Sequence, residues 1–218
     1  RRHTRLQGDW SSDVCSSDLW EEYALQLNKR LGIDNQLMRA IGTKARKDPK
    51  RVVFSDAENI KIIKAAQIAY EEGIAFPILL GNVEKIKSKA EANGIDLDDI
   101  PIIDPKSAEQ EDKREAYGQL LYEKRQRKGM NRYEAIKIMK ERTHFGCMMV
   151  ESGEADTMIS GLTRKYADTI RPALEIIGSQ PNVKKIAGMY IMLTKKGPLF
   201  LADATVNFNP TEIGRAHV

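Results

Sequence analysis

Between Arg51 and Gly81 the chain presents an apolar run, a helical stripe and a second apolar run in quick succession. The first run, "RVVFSDA", is rich in β-branched residues and reads as a buried strand. From Asn59 to Glu72, apolar residues recur at Ile60, Ile63, Ala66 and Tyr70, with Ile62 and Ala69 beside them. That spacing is the stripe of a helix packed on one face. Gly73 is placed to close the helix, and "AFPILLG" reads as a second buried strand. Two buried strands joined through a helix imply a parallel sheet, because a parallel crossover needs a connection of that length. The unit then repeats: Asn82 can cap a helix ending at Gly94, and "IPIID" follows as a third strand. The expected fold is α/β, built on an open parallel sheet with helices on its faces.

Downstream, a charged helical region runs from Ser107 to Lys128 and stops at Gly129. Asn131 and Glu134 have capping-box spacing for a further helix. "THFGCMMVESGEAD" predicts a helix ending near Gly153, and "DTMISG" a short strand with a glycine at its C-terminal end. "RPALEIIG" predicts a helix with Pro172 at or near its first turn, where proline is tolerated. "KKIAGMYIML", "TKKG" and "PLFLADATV" read as strand, turn and strand. Residues 20–48 read as a helical connector ended by Asp48-Pro49. "GSQPNV" has turn composition and marks a boundary. The expected organisation is a first α/β lobe over 49–182 and the start of a second, truncated lobe over 183–211.

Both ends are set aside from fold reasoning. Residues 1–19, "RRHTRLQGDWSSDVCSSDL", contain Ser-Ser-Asp twice and show no apolar period. They resemble a translated sequencing adapter, as do residues 212–218, "EIGRAHV". Within the remaining body stand a lone cysteine, Cys147, and a lone histidine, His144. No disulfide can form within it, and no histidine-rich metal site is available. A net charge of +4 over 218 residues is mild, and no basic stripe is interleaved with aromatics, so nucleic acid is not an expected partner. No apolar run approaches membrane-spanning length, and no signal peptide is visible. The expected location is the cytoplasm.

Ligands of open α/β sheets bind where strand C-terminal ends meet helix N-termini. Three places fit: Ser55-Asp56-Ala57-Glu58-Asn59, Ser160-Gly161-Leu162-Thr163, and Asp203-Ala204-Thr205-Val206-Asn207. Each residue type also makes ordinary turns and caps. In "SGLTRKYADTIRPAL" a strand end, a glycine, two hydroxyls and two arginines come together. Arg171, just before Pro172, is expected near a helix N-terminus, where backbone amides and a guanidinium favour an anion. The same spacing allows an ion pair with Asp168 or Glu175. "YEKRQRKGMN" is either a second basic contact or a solvated helix face. Cys147, in "FGCMMV", reads as a small core residue.

The segments "EKRQRKGMN", "HFGCMMVESGEADTMISG", "YADTIRPAL" and "LADATVNFNPT" resemble, in this order and spacing, the phosphate acetyl/butyryltransferase family. The resemblance covers residues 50–211. It implies a three-layer lobe of the isocitrate/isopropylmalate dehydrogenase-like, phosphate acetyltransferase type, paired with a second lobe across a cleft. It implies acyl-CoA (or CoA) and acyl phosphate or phosphate as small-molecule partners. Arg125 and Arg171 fall on the two arginines that contact the acyl phosphate. Ser160, Gly161, Thr163, Arg164, Tyr166, Asn207 and Asn209 fall on substrate- or CoA-binding positions. In such a reaction the CoA thiolate attacks the acyl carbonyl, and fixed guanidinium groups stabilise the charge developing on the carbonyl oxygen and the leaving phosphate. The resemblance also implies a homo-oligomeric intact parent and no metal bound by this segment.

Two departures refine the expectation. The family's serine–arginine pair and its aspartate base belong to a segment beyond "NFNPT", so the chain is expected to be inactive alone. Thr163-Arg164-Lys165-Tyr166 stands where active members carry a His-Ser-Thr-like run. That version, with "EEYALQLNKRLG" ahead of it, resembles the C-terminal domain of bacterial NADP-dependent malic enzymes. This resemblance implies an acetyl-CoA-sensing regulatory domain, with NADP, a divalent metal and malate chemistry in another domain of the parent. The alternatives are a fragment of an active phosphate acyltransferase and a non-catalytic α/β small-ligand module.

Overall fold

The structure is a computed structural model, and it describes residues 23, 37–183, 186–194, 197–202 and 206. The chain divides into two compact units, one of residues 42–186 and one of residues 1–41 with 187–218. Each is described by itself.

The larger unit carries a parallel sheet of four strands in the order β3-β2-β1-β4. The strands are β1 (Lys50–Phe54), β2 (Ala75–Leu80), β3 (Ile102–Ile103) and β4 (Thr157–Ile159). Residues 37–47 form helix α1, which leads toward β1. Helices α2 (Ile60–Glu71) and α3 (Val83–Glu91) connect the first three strands. Helices α4 (Glu111–Arg125), α5 (Arg132–Ile138) and α6 (Arg142–Glu151) precede β4, and α7 (Tyr166–Ile176) follows it. The α/β parallel-sheet expectation is therefore met.

The helix signals read from the sequence act as caps. Asn82 accepts the Lys85 amide at 2.9 Å, and Asn59, which was not read as a cap, accepts the Lys61 amide at 3.0 Å. Asn131 and Glu134 form a complete capping box at the start of α5. Gly129 closes the short 3₁₀ turn after α4 with φ +89°, a conformation that glycine adopts without a Cβ penalty.

Strand alternation sorts the core into two layers. Val52, Phe54 and Leu79 face the α2–α3 side and pack with Ile63, Ala66, Ile86 and Ala90. Val53 and Leu80 face the opposite side and pack with Tyr117, Leu121, Met139, Phe145 and Met148. The near-continuous apolar strands follow from this, since both faces are covered. Two glycines permit close approaches in the second layer. A Cβ at Gly118 of α4 would lie 2.7 Å from the Ile136 Cα of α5. A Cβ at Gly146 of α6 would lie 2.7 Å from the Met158 sulfur and 3.2 Å from Val53 and Leu80. Helix α6 therefore lies directly on the sheet.

One helix begins earlier than the sequence predicts. Pro172 is not in a first turn: α7 starts at Tyr166, and Pro172 lies inside it. Lys165 supplies the extended residue before the first turn, and its carbonyl accepts the Asp168 and Thr169 amides at 3.1 and 3.2 Å. Proline inside a helix removes one backbone bond. Here its ring is buried, and tertiary packing overrides the local preference. The smaller unit contains an antiparallel hairpin of β5 (Met189–Thr194) and β6 (Gly197–Ala202), the expected strand–turn–strand.

Candidate functional site

The strand order reverses at β1. From β1 the chain builds outward through β2 and β3, then returns to place β4 on β1's other edge. That reversal is the switch point at which open α/β sheets leave a crevice beyond the strand C-termini. Two of the three predicted places meet there, because β1 and β4 are in register from Val52–Thr157 to Phe54–Ile159.

Asp56 joins them. It is 2% exposed, and its carboxylate accepts the Gly161 amide at 3.0 Å, the Leu162 amide at 3.1 Å and the Thr163 hydroxyl at 2.5 Å. The Ser55 hydroxyl donates to the Ser160 hydroxyl at 2.6 Å. Burial pushes the Asp56 carboxyl upward, but Thr163, the two amides and the charge of Arg142 outweigh it and hold it below its ordinary value. The carboxylate is thus ionised and fully used in shaping the 160–163 loop. Gly161 has φ +115°, which an L side chain would resist. Asp56, Glu58, Asn59, Arg142 and Thr163 line a cavity of about 600 Å³ beside this loop.

Arg164 follows the loop directly and donates from Nη2 to Glu141 at 2.9 Å. This hydrogen bond is the main reason why the Glu141 carboxyl sits below its ordinary value. Tyr166 opens α7 and is exposed. Arg171 is exposed in the middle of α7, not at its N-terminus, so the predicted amide-plus-guanidinium anion site does not form there. Glu175, one of the two ion-pair partners the spacing allowed for Arg171, instead meets Arg125 at 3.5 Å. Arg125 ends α4 with its side chain only 20% exposed and its Nε buried without a hydrogen-bond partner. Arg127 and Lys128 are exposed. The "EKRQRKG" segment thus splits into one inward arginine, a lysine (Lys124) held by Glu151 and by the Ile176 carbonyl at 3.1 Å, and an exposed remainder. Arg171 and Glu175 are four apart on α7, a spacing that puts both on one helix face.

His144 was not singled out as a site residue. It lies in the first turn of α6 with its Nδ1 buried and without a hydrogen-bond partner. Burial lowers its pKa, against the raising charges of Glu175 and Glu141, so its imidazole is neutral at pH 7. His144 thus feels the charges of Glu175, Glu141 and Arg164 without a hydrogen bond from its Nδ1 to any of them. Its only signal in the sequence was its solitude. Cys147 is fully buried, and burial pushes its thiol up to about 12, so it is core and not nucleophile. Asn207 and Asn209 lie outside the described residues, as does most of the Asp203–Asn207 segment. Among the described residues no cluster of three or more His, Cys, Asp or Glu is arranged to hold a metal ion. No described helix is long and apolar enough to cross a membrane.

The chain is similar to proteins of one family. A family model described as "Phosphate acetyl/butaryl transferase" matches residues 36–218. The phosphate acetyltransferase of Thermoanaerobacterium thermosaccharolyticum is 36% identical over 180 residues, covering 80% of this chain and 53% of that protein. The phosphate acetyltransferase of Clostridium acetobutylicum is 33% identical over 181 residues, covering 80% and 54%. Among solved structures, the EutD phosphotransacetylase from Staphylococcus aureus superposes with a TM-score of 0.73 at 25% identity, covering 83% of this chain and 54% of that one. The chain thus spans about half the length of these relatives. They carry the name of the acyl-transfer enzymes, and the malic-enzyme expectation draws no support from them. With the parallel sheet, the motif order and these matches in agreement, the chain belongs to the phosphate acetyl/butyryl transferase family.

Proposed function

We propose that this domain binds a CoA thioester together with phosphate or acyl phosphate and serves acyl transfer between them. The observation that carries the reading is the Asp56-held loop at the sheet's switch point, followed directly by α7, on which Arg171 stands one turn before the Glu175 that pairs with Arg125. Ser160, Gly161, Thr163, Arg164 and Tyr166, in the loop and at the start of that helix, make up the proposed binding set with Asn207 and Asn209. The guanidinium of Arg171 is open to solvent and free to meet a phosphoryl group. Arg125 is held by Glu175, so a bound anion would compete with that carboxylate. Fixed positive charge near the acyl phosphate would stabilise the negative charge that develops as thiolate adds and phosphate leaves.

The test is calorimetric titration of acetyl-CoA and of acetyl phosphate onto the purified chain and onto two variants, Arg171→Ala and Arg127→Ala. Loss of a charged hydrogen bond is expected to weaken binding roughly tenfold to a hundredfold in Arg171→Ala, with little change in Arg127→Ala. Equal effects in the two variants would place the ligand elsewhere.

A second reading is acyl-CoA sensing without turnover. It is favoured by Thr163-Arg164-Lys165-Tyr166, in which Arg164 is engaged by Glu141 at 2.9 Å. Acetyl-CoA binding that survives Arg171→Ala but not Arg164→Ala would support it.

A further inference from the structure

Arg125 and Glu175 are joined more loosely than the charged groups around them. Their ion pair spans 3.5 Å, longer than a charge-assisted hydrogen bond, and the Arg125 Nε is buried without a hydrogen-bond partner. Both side chains are mostly enclosed, with 20% and 25% of their surface exposed. The neighbouring charges are firmly held. Arg164 donates to Glu141 at 2.9 Å, and Lys124, beside Arg125 on α4, is bound by Glu151 and by the Ile176 carbonyl at 3.1 Å. Within this cluster Glu175 is therefore the carboxylate with the weakest hold on its cation.

His144 feels the same carboxylate. It is the third residue of α6, a helix that packs on both α4 and α7. Its Nδ1 is buried without a hydrogen-bond partner, an arrangement that is costly whichever ring nitrogen carries the proton. The charged groups that act on the ring are Glu175 of α7, Glu141 at the N-cap of α6, and Arg164 of the loop before α7. Lys106 acts on Glu141 in turn. Burial keeps the imidazole neutral, the positive end of α6 works in the same direction, and the two carboxylates oppose them. The balance depends on how fully Arg125 neutralises Glu175.

We propose that binding of an anionic ligand at Arg125 draws a proton from solvent onto His144. A phosphoryl group that engages the Arg125 guanidinium takes it from Glu175. The carboxylate left behind lacks a counter-charge in a largely enclosed setting, and the imidazole supplies one when its Nδ1 becomes a charged donor. His144 then acts as a positioning residue: it holds Glu175 while the ligand occupies Arg125, and no proton passes to the ligand. Proton uptake on binding means that affinity rises as the pH falls. This coupling rests on the reading of Arg125 as a ligand contact, and it adds a pH dependence that the reading alone does not require.

The experiment is calorimetric titration of the full chain with acetyl phosphate at the ordinary histidine value, pH 6.5, in two buffers of different ionisation enthalpy. The difference between the buffers gives the protons taken up per ligand bound. The variants are His144→Gln and Glu175→Gln, with circular dichroism to check that each is folded, and either variant alone decides. The parent is expected to take up about half a proton, with affinity rising about threefold for each pH unit lowered near that pH. His144→Gln should bind with almost no uptake and a flat pH profile. Glu175→Gln should bind more tightly than the parent, since no carboxylate competes for Arg125, and should lose most of the uptake. Binding by the parent without uptake overturns the coupling and leaves the acyl-transfer reading standing. Uptake undiminished in either variant places the proton on another group and also overturns it. No binding of acetyl phosphate to the parent removes the acyl-transfer reading and the coupling with it.

Discussion

The Asp56 carboxylate accepts the Thr163 hydroxyl at 2.5 Å and the Gly161 amide at 3.0 Å, joining two strand ends 105 residues apart in sequence. A single ionised side chain therefore sets the shape of the loop that opens the site.

Replacing that carboxylate tests its role. Asp56→Ala leaves two amides and a hydroxyl without their acceptor, and it is expected to destabilise the chain by about 2–3 kcal/mol. Thr163→Val removes one of the three bonds and is expected to cost about 1 kcal/mol. Urea denaturation followed by circular dichroism gives both values. A smaller effect for Asp56→Ala than for Thr163→Val would contradict the assignment.

Gly118 is predicted to tolerate no side chain. Its Cβ would strike the Ile136 backbone, at 2.7 Å from Cα and 2.9 Å from N, and backbone cannot turn aside as a flexible side chain does. Gly118→Ala, despite its better helix propensity, is expected to destabilise by about 1–3 kcal/mol. A stabilised variant in thermal denaturation would show that α4 and α5 are further apart than described.

Acid stability should report on Arg51 and Asp156. Asp156 accepts the Arg51 amide at 2.8 Å and is ion-paired to its guanidinium at 3.0 Å. Arg51's hydrogen bond holds the Asp156 carboxyl at about 2, against an ordinary 3.8. A depressed pKa means that the stabilisation is fully present above the ordinary value and is lost as the pH falls from about 3.8 toward about 2. Asp156→Asn should therefore show a shallower loss of stability than the parent across that window. Superimposable acid-unfolding curves would rule out the contribution.

Cys147 offers a check on the core. With its thiol fully buried and pushed up to about 12, it should resist iodoacetamide at neutral pH in the folded chain and react at the ordinary rate in denaturant. Prompt labelling at Cys147, told apart from Cys15 by peptide mapping, would mean that the α6 layer is open.

What the sequence determined by itself was local and periodic. Ile60, Ile63 and Ala66 announced a helix because every third or fourth position faces one side of it. Val52–Phe54 and Leu79–Leu80 announced strands buried on both faces because they carry no polar alternation. Asn82 and Asn131 announced caps because their side chains reach amides three residues away. The alternation of these signals was enough for a parallel α/β sheet, and the motif order was enough to point to the family.

Only the tertiary structure decided which distant groups meet. Nothing local says that β4 adds to the free edge of β1, and that one pairing brings Asp56 to Gly161 and Thr163. Nor does spacing along α7 reveal that Glu175 is taken by Arg125 from α4, or that Pro172 is buried in mid-helix by packing that overrides its preference for a first turn. The cavity lined by Asp56, Asn59, Arg142 and Thr163 was invisible for the same reason. Its residues come from separate loops and helix ends, and their common position depends on the crossing of whole layers, not on any repeat along the chain.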